Sequence, residues 1–171
     1  MPNKQCLMDP VPTWFVKKII TTLLPFYTDF INASLSSATM PTTLKKAHVK
    51  PGIKDKNTDR NEDKNYRPVS NLPFLSKVLE KIVSKRIEEY LQENNLLDVN
   101  QSAYRKYHST ETTMIKIHND ILNHLDKGCF VLLVSLDISA GFDTVNHSQL
   151  IDCFRNEFGI KGNALQWLIS Y

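Results

Sequence analysis

Long apolar runs are missing from this chain. The longest, Phe130 to Leu136, is seven residues interrupted by Ser135, against about 20 for a membrane-spanning helix. An export signal is missing too, because Pro10, Pro12 and the Lys17–Lys18 pair break up any apolar core near the start. Cysteine is scarce. Cys6, Cys129 and Cys153 have no close pair, which argues against a disulfide framework or a zinc knuckle and for a reducing compartment. A strong charge of one sign is also lacking: 21 basic side chains face 18 acidic ones, a net +3. That permits nucleic acid as a partner without demanding it. No internal repeat or low-complexity tract stands out. These absences lead us to expect an intracellular protein with no membrane segment.

What is present is an ordinary globular composition. The 171 residues are 42% hydrophobic and 23% charged, which rules out wholesale disorder. A chain of this length can bury roughly 70% of the surface it exposes when unfolded. The basic excess sits in the middle, where residues 44–128 hold 16 basic and 12 acidic side chains.

Periodicity then predicts the elements. Trp14, Phe15, Ile19 and Leu23 recur at helical spacing after Pro12, and Pro25 is expected to end that helix and open a second bearing Phe26, Phe30, Ile31 and Leu35. Ser36 to Thr43 reads as a loop. Lys46 to Lys50 and Tyr66 to Asn71 read as extended, the second because Pro68 biases Arg67 away from helix. Between them, Lys54 to Lys64 holds four basic and four acidic residues and almost nothing apolar. It reads as a solvated, mobile loop that becomes a long hairpin tip if the two strands pair.

The clearest helix runs from Phe74 to about Glu93, with Leu75, Val78, Leu79, Ile82, Val83, Ile87, Tyr90 and Leu91 on one face. Ser109 is a candidate N-cap for a helix carrying Met114, Ile117, Ile121 and Leu125 and stopping near Gly128. His118 falls on the apolar face of that helix and reads as a core or boundary histidine. Cys129 to Asp137 is apolar on both alternating faces and predicts a central strand. A helix from near His147 to Gly159 and a last one capped by Asn163 complete an α+β, helix-rich reading.

Asp137 is the foremost candidate site residue, since an apolar strand ending in Asp sets a carboxylate at a sheet edge. Asp143 adds a second acid near the same bend. Two carboxylates could hold Mg²⁺, or each could simply cap local backbone. Lys50, Lys64, Arg67, Arg105 and Lys106 lie beside extended segments or loops, where such side chains can converge on phosphate or stay solvated.

The stretch Asn65-Tyr66-Arg67-Pro68-Val69-Ser70-Asn71-Leu72-Pro73 closely resembles the fingers motif of reverse transcriptases from non-LTR (LINE-type, jockey-like) retrotransposons. The likeness continues through Gln101-Ser102-Ala103-Tyr104-Arg105, His108-Ser109-Thr110 and Leu136-Asp137-Ile138-Ser139-Ala140-Gly141-Phe142-Asp143. It is collinear over nearly the whole chain. The resemblance implies part of a right-hand polymerase: a helical lead-in over residues 1–45, a fingers-like region over 46–128 and a partial palm over 129–171. It implies an RNA template, a DNA primer and deoxynucleoside triphosphates as partners.

By the same resemblance, Asp137 is the first palm aspartate that ligates Mg²⁺, and Ile138 supplies a main-chain carbonyl to the metal shell. Phe142 is the aromatic gate under the nucleotide sugar, and Arg67, Arg105 and Lys64 are candidates for phosphate or template contact. The family's palm continues with a Gly- and Gln-containing motif and a hairpin carrying two adjacent aspartates. Neither occurs here, and the 171 residues contain no Asp-Asp pair. One carboxylate cannot hold two cations ~3.5–4 Å apart, so the chain alone is expected to be catalytically incomplete, with a non-catalytic nucleic-acid-binding remnant or a relic of a retrotransposon as the alternative. The strand ending at Asp137, left without its hairpin, is expected to expose an apolar edge and to favour self-association. Three departures from the family pattern stand out: Gly141 stands for a usual Ala, Ala103-Tyr104 for Gly-Phe, and Tyr107 for a frequent Gly. The last two matter if the loop needs a positive φ.

Overall fold

The computed structural model describes residues 6–138 and 141–171. Ser139 and Ala140, in the bend expected after Asp137, lie outside the described residues. The chain forms two compact units, Met1–Tyr90 with His147–Tyr171 and Leu91–Asn146.

In the first unit, α1 (Thr13–Lys18) and α2 (Ile20–Ser36) are separated at Ile19, and Pro25 lies inside α2. The expected break at Pro25 is therefore displaced by six residues. A proline one turn into a helix removes a single backbone hydrogen bond, that to the Thr21 carbonyl, and the packing of the following turns outweighs that loss. Those turns bury Ile31 and Ser34. A short helix, α3 (Thr42–Lys45), leads into β1 (His48–Ile53).

β1 pairs antiparallel with β2 (Tyr66–Asn71) in the register His48 opposite Asn71 through Ile53 opposite Tyr66. The expected hairpin is present. Its charged tip is tied down: Asp55 and Asp59 accept from the backbone N–H groups of Asn57 and Asn61, and the Tyr66 hydroxyl donates to the Arg60 carbonyl at 2.9 Å. Local hydrogen bonds of this kind organise a polar loop that has no core to bury.

The long helix α4 spans Phe74–Glu93, as its periodicity predicts. Its first N–H, from Phe74, donates to Asp9 Oδ1 at 2.8 Å, and Asp9 Oδ2 accepts from the Cys6 N–H. The lead-in thus caps α4 from far along the chain. Cys6 is buried and donates from Sγ to the Asn71 carbonyl. Leu79 is the centre of a core with Ile31, Met40 and Trp167, flanked by Leu35, Leu44, Val78, Ile82 and Leu168.

α6 (His147–Asn156) and α7 (Gly162–Ser170) complete this unit. Lys161, not Asn163, occupies the N-cap of α7; Asn163 donates to the Ser36 carbonyl instead. At the other end of the core, Trp167 Nε1 donates to Ser34 Oγ at 3.0 Å, and that hydroxyl donates to the Thr39 carbonyl at 2.7 Å. Tyr171 stacks on Trp167 and donates to Glu80 Oε1 at 2.7 Å, and burial with that bond pushes the phenol up to about 12.

The second unit holds the end of α4, a loop and α5 (Thr110–Asp126). Ser109 caps α5 as expected, in a reciprocal box with Thr112. Gly128, at φ +74°, closes it, with Cys129 N–H donating to the His124 carbonyl. Only Thr113, Ile117 and Ile121 of α5 are half-buried, and His118 is exposed, against the expectation of a core or boundary position.

Cys129 to Asp137 is not a strand. Residues 129–138 adopt no regular secondary structure, and Phe130, Leu132 and Leu136 are almost fully exposed. Apolar alternation specifies which residues a strand would bury, but a strand exists only when a neighbour takes up its backbone hydrogen bonds. Among the described residues no second strand lies against this segment.

Candidate functional site

Three of the candidate residues, Asp137, Ile138 and Phe142, follow the unpaired apolar segment in the second unit. All three are exposed. Gly141 to Thr144 forms a turn, with the Thr144 hydroxyl donating to the Gly141 carbonyl. The Phe142 ring meets the edge of Tyr104, centroids 6.2 Å apart and planes at 72°. That edge-to-face geometry suits the aromatic quadrupole.

Among the described residues no three His, Cys, Asp or Glu side chains come together as a site for a metal ion. The residues present do not by themselves fit a pair of Mg²⁺ ions, since each hard cation needs several oxygen ligands and Asp137 brings one carboxylate.

Arg105 is also in the second unit. Its Nη1 donates to the carbonyls of Asp98 and Gln101, at 3.0 and 3.3 Å, so this guanidinium braces the loop that carries it. Lys64, in the first unit, sits in a single 3₁₀ turn, Asp63–Asn65, and pairs with Glu62 at 2.9 Å. This pair is exposed and adds little to stability.

Arg67 is placed differently. It stands opposite Gly52, two residues along β1 from Lys50, so strand alternation brings Lys50 and Arg67 to one face of the hairpin. Gly52 has no side chain to cover its cross-strand neighbour, and a Cβ there would come within 2.7 Å of Val69 Cγ2. This hairpin face therefore presents two cations, with the Val69 side chain lying over Gly52 between them.

Two features escape motif reasoning. Asp9 caps a helix 65 residues away, a pairing no local pattern announces. Tyr104 and Tyr107 adopt φ values of +59° and +64°. Their signal was visible in part, as the replacement of a frequent glycine at 107.

Comparison with known proteins agrees with the motif pattern. Residues 53–171 match the family described as reverse transcriptase (RNA-dependent DNA polymerase). The chain is 31% identical over 93 residues to a probable RNA-directed DNA polymerase from transposon BS of Drosophila melanogaster, covering 54% of this chain and 10% of that protein. It is 31% identical over 103 residues to the RNA-directed DNA polymerase from mobile element jockey of Drosophila funebris, 60% of this chain and 11% of that protein. A third relative is the retrovirus-related Pol polyprotein from type-1 retrotransposable element R2 of Popillia japonica, 27% identical over 135 residues, 79% of this chain and 18% of the relative. The chain thus spans between a tenth and a fifth of the length of these relatives. No solved structure matches it. With the family match running over residues 53–171 and these relatives all encoded by non-LTR elements, this chain belongs to the reverse transcriptase family, in its non-LTR retrotransposon branch.

Proposed function

We propose that the chain is the fingers and the start of the palm of a right-hand RNA-directed DNA polymerase, catalytically incomplete by itself. The family match across residues 53–171, which takes in Asp137, carries this reading. In it, residues 1–45 are a helical lead-in, 46–128 the fingers-like region and 129–171 the partial palm. Asp137 contributes one carboxylate and Ile138 one main-chain carbonyl to a divalent-metal site whose remaining ligands are not among these residues. Phe142 lies under the nucleotide sugar. Arg67, with Lys50 beside it on the hairpin face, meets phosphate of template or nucleotide, whereas Arg105 supports its own loop. Template RNA, primer DNA and deoxynucleoside triphosphates are the partners, and the unpaired Cys6, Cys129 and Cys153 suit a reducing, intracellular setting.

Primer extension on an RNA template with Mg²⁺ tests the incompleteness. The expected result is no extension above that of Asp137→Ala. Extension that disappears on this substitution would overturn it.

A second reading, a non-catalytic nucleic-acid-binding segment, is favoured by Lys50 and Arg67 lying on one face of the hairpin. Neutralising ~3–4 phosphates predicts a slope of about −2 to −3 for log K against log[salt] on single strands. Arg67→Ala should flatten that slope by about 0.7. Binding that ignores salt would remove this reading.

A further inference from the structure

The loop before α5 holds two tyrosines in a backbone region that L side chains avoid, Tyr104 at φ +59° and Tyr107 at φ +64°. A side chain there crowds its own backbone and destabilises the loop, whereas glycine adopts the conformation freely. Burial of the rings does not offset this cost, because Tyr104 is 86% and Tyr107 88% exposed. The loop therefore holds two aromatic faces in water against local preference, a combination that points to a ligand for those faces.

Their surroundings narrow the ligand. The Lys106 ammonium lies over one face of the Tyr107 ring, 4.9 Å from its centroid, which leaves the other face to solvent. His108 Nδ1 is 2.9 Å from the Lys106 carbonyl, and His108 N–H donates to the Arg105 carbonyl, so the turn that presents Tyr107 is closed on itself. The Tyr104 ring is tilted against Phe142. Beside Tyr104 opens a cavity of about 500 Å³ whose lining includes Asn100, Ser102, His108, Ser109 and Thr113 and no carboxylate. That volume is in the range of small-ligand pockets. Amide, hydroxyl and imidazole groups around an aromatic wall, with a lysine alongside, match the edge of a nucleobase or ribose and a nearby phosphate.

We infer that Tyr104 and Tyr107 form a stacking platform for unpaired bases of single-stranded RNA, with the adjoining cavity receiving one nucleotide. The inference rests on the nucleic-acid reading above and gives it a mode. Every base has a π-face, so a platform of this kind binds with little sequence preference. It also gives Tyr107 a role that a glycine at that position would lack.

The test is fluorescence anisotropy of the full chain with a labelled 12-nucleotide oligouridylate and with an abasic strand of equal length and charge. Wild type should bind the base-bearing strand about 5- to 100-fold more tightly than the abasic one. Tyr107→Gly and Tyr104→Leu should each erode that ratio, and Tyr107→Phe should preserve it. Tyr107→Gly should unfold at the same or a higher denaturant midpoint than wild type, which separates loss of stacking from loss of fold. Equal binding of the two strands, or Tyr107→Gly and Tyr104→Leu that leave the ratio unchanged, would overturn the platform while leaving the electrostatic reading intact. Failure of wild type to bind either strand would overturn both.

Discussion

Two single residues join parts of the first unit that are distant in sequence. Asp9 accepts from the Phe74 N–H that opens α4, so it performs the work of an N-cap without sitting in the helix. Asp9→Ala should lower stability by about 1 kcal/mol, the usual size of a lost cap, read as a fall in the urea midpoint at unchanged slope. Ser34 is buried and receives the Trp167 indole N–H while donating to the Thr39 carbonyl. Ser34→Ala leaves both groups without that partner and should cost ~1–3 kcal/mol, checked by thermal unfolding together with a shift in tryptophan emission. Ser109 as the cap of α5 was legible because its partner Thr112 is three residues away. Asp9 was not, because its partner is chosen by tertiary packing.

At the scale of elements, local and non-local requirements separate cleanly. α4 appears where its 3.6-residue period predicts it, since a helix satisfies its own backbone. The hairpin appears because two short strands joined through a polar tip find each other. Gly52→Ala should disturb it, since the new Cβ would lie 2.7 Å from Val69 Cγ2. Overpacking of this kind costs ~1–3 kcal/mol. Unfolding midpoints should show most of that loss recovered in the Gly52→Ala, Val69→Ala pair.

The end of α7 carries a pH dependence. Burial and the bond to Glu80 raise the Tyr171 phenol from 10.0 to about 12. A folded-state value above the unfolded one means that the folded chain binds the proton more tightly. Its stabilising contribution is therefore complete below pH 10 and lost as pH rises towards 12. Denaturation of wild type and Tyr171→Phe followed from pH 8 to 12 should converge over that window.

Across the whole molecule the first unit has a defined core around Leu79, whereas the second buries little of its apolar surface. Phe130, Leu132, Leu133, Val134 and Leu136 are all exposed in a segment without strand partners among the described residues. Contiguous apolar backbone with open hydrogen-bonding groups favours association. Sedimentation velocity should show concentration-dependent association of the chain. The pair Leu132→Lys, Leu136→Lys should shift it towards monomer and reduce binding of a hydrophobic dye, and a wild type that stays monomeric at every concentration would contradict this expectation.

By itself the sequence determined whatever depends on near neighbours: the periodicity of α4, the cap of α5, the two strands flanking a charged tip, and the order of motifs that marks a reverse transcriptase. Tertiary structure alone decided that Asp9 caps α4, that Pro25 stays inside α2, that Lys50 and Arg67 share a face, and that the apolar run before Asp137 forms no strand. The division has one physical cause. A helix or a tight turn closes its hydrogen bonds within a few residues, so composition suffices to specify it. A strand, a remote cap or a shared face needs a partner brought in from elsewhere in the chain, and only folding supplies one.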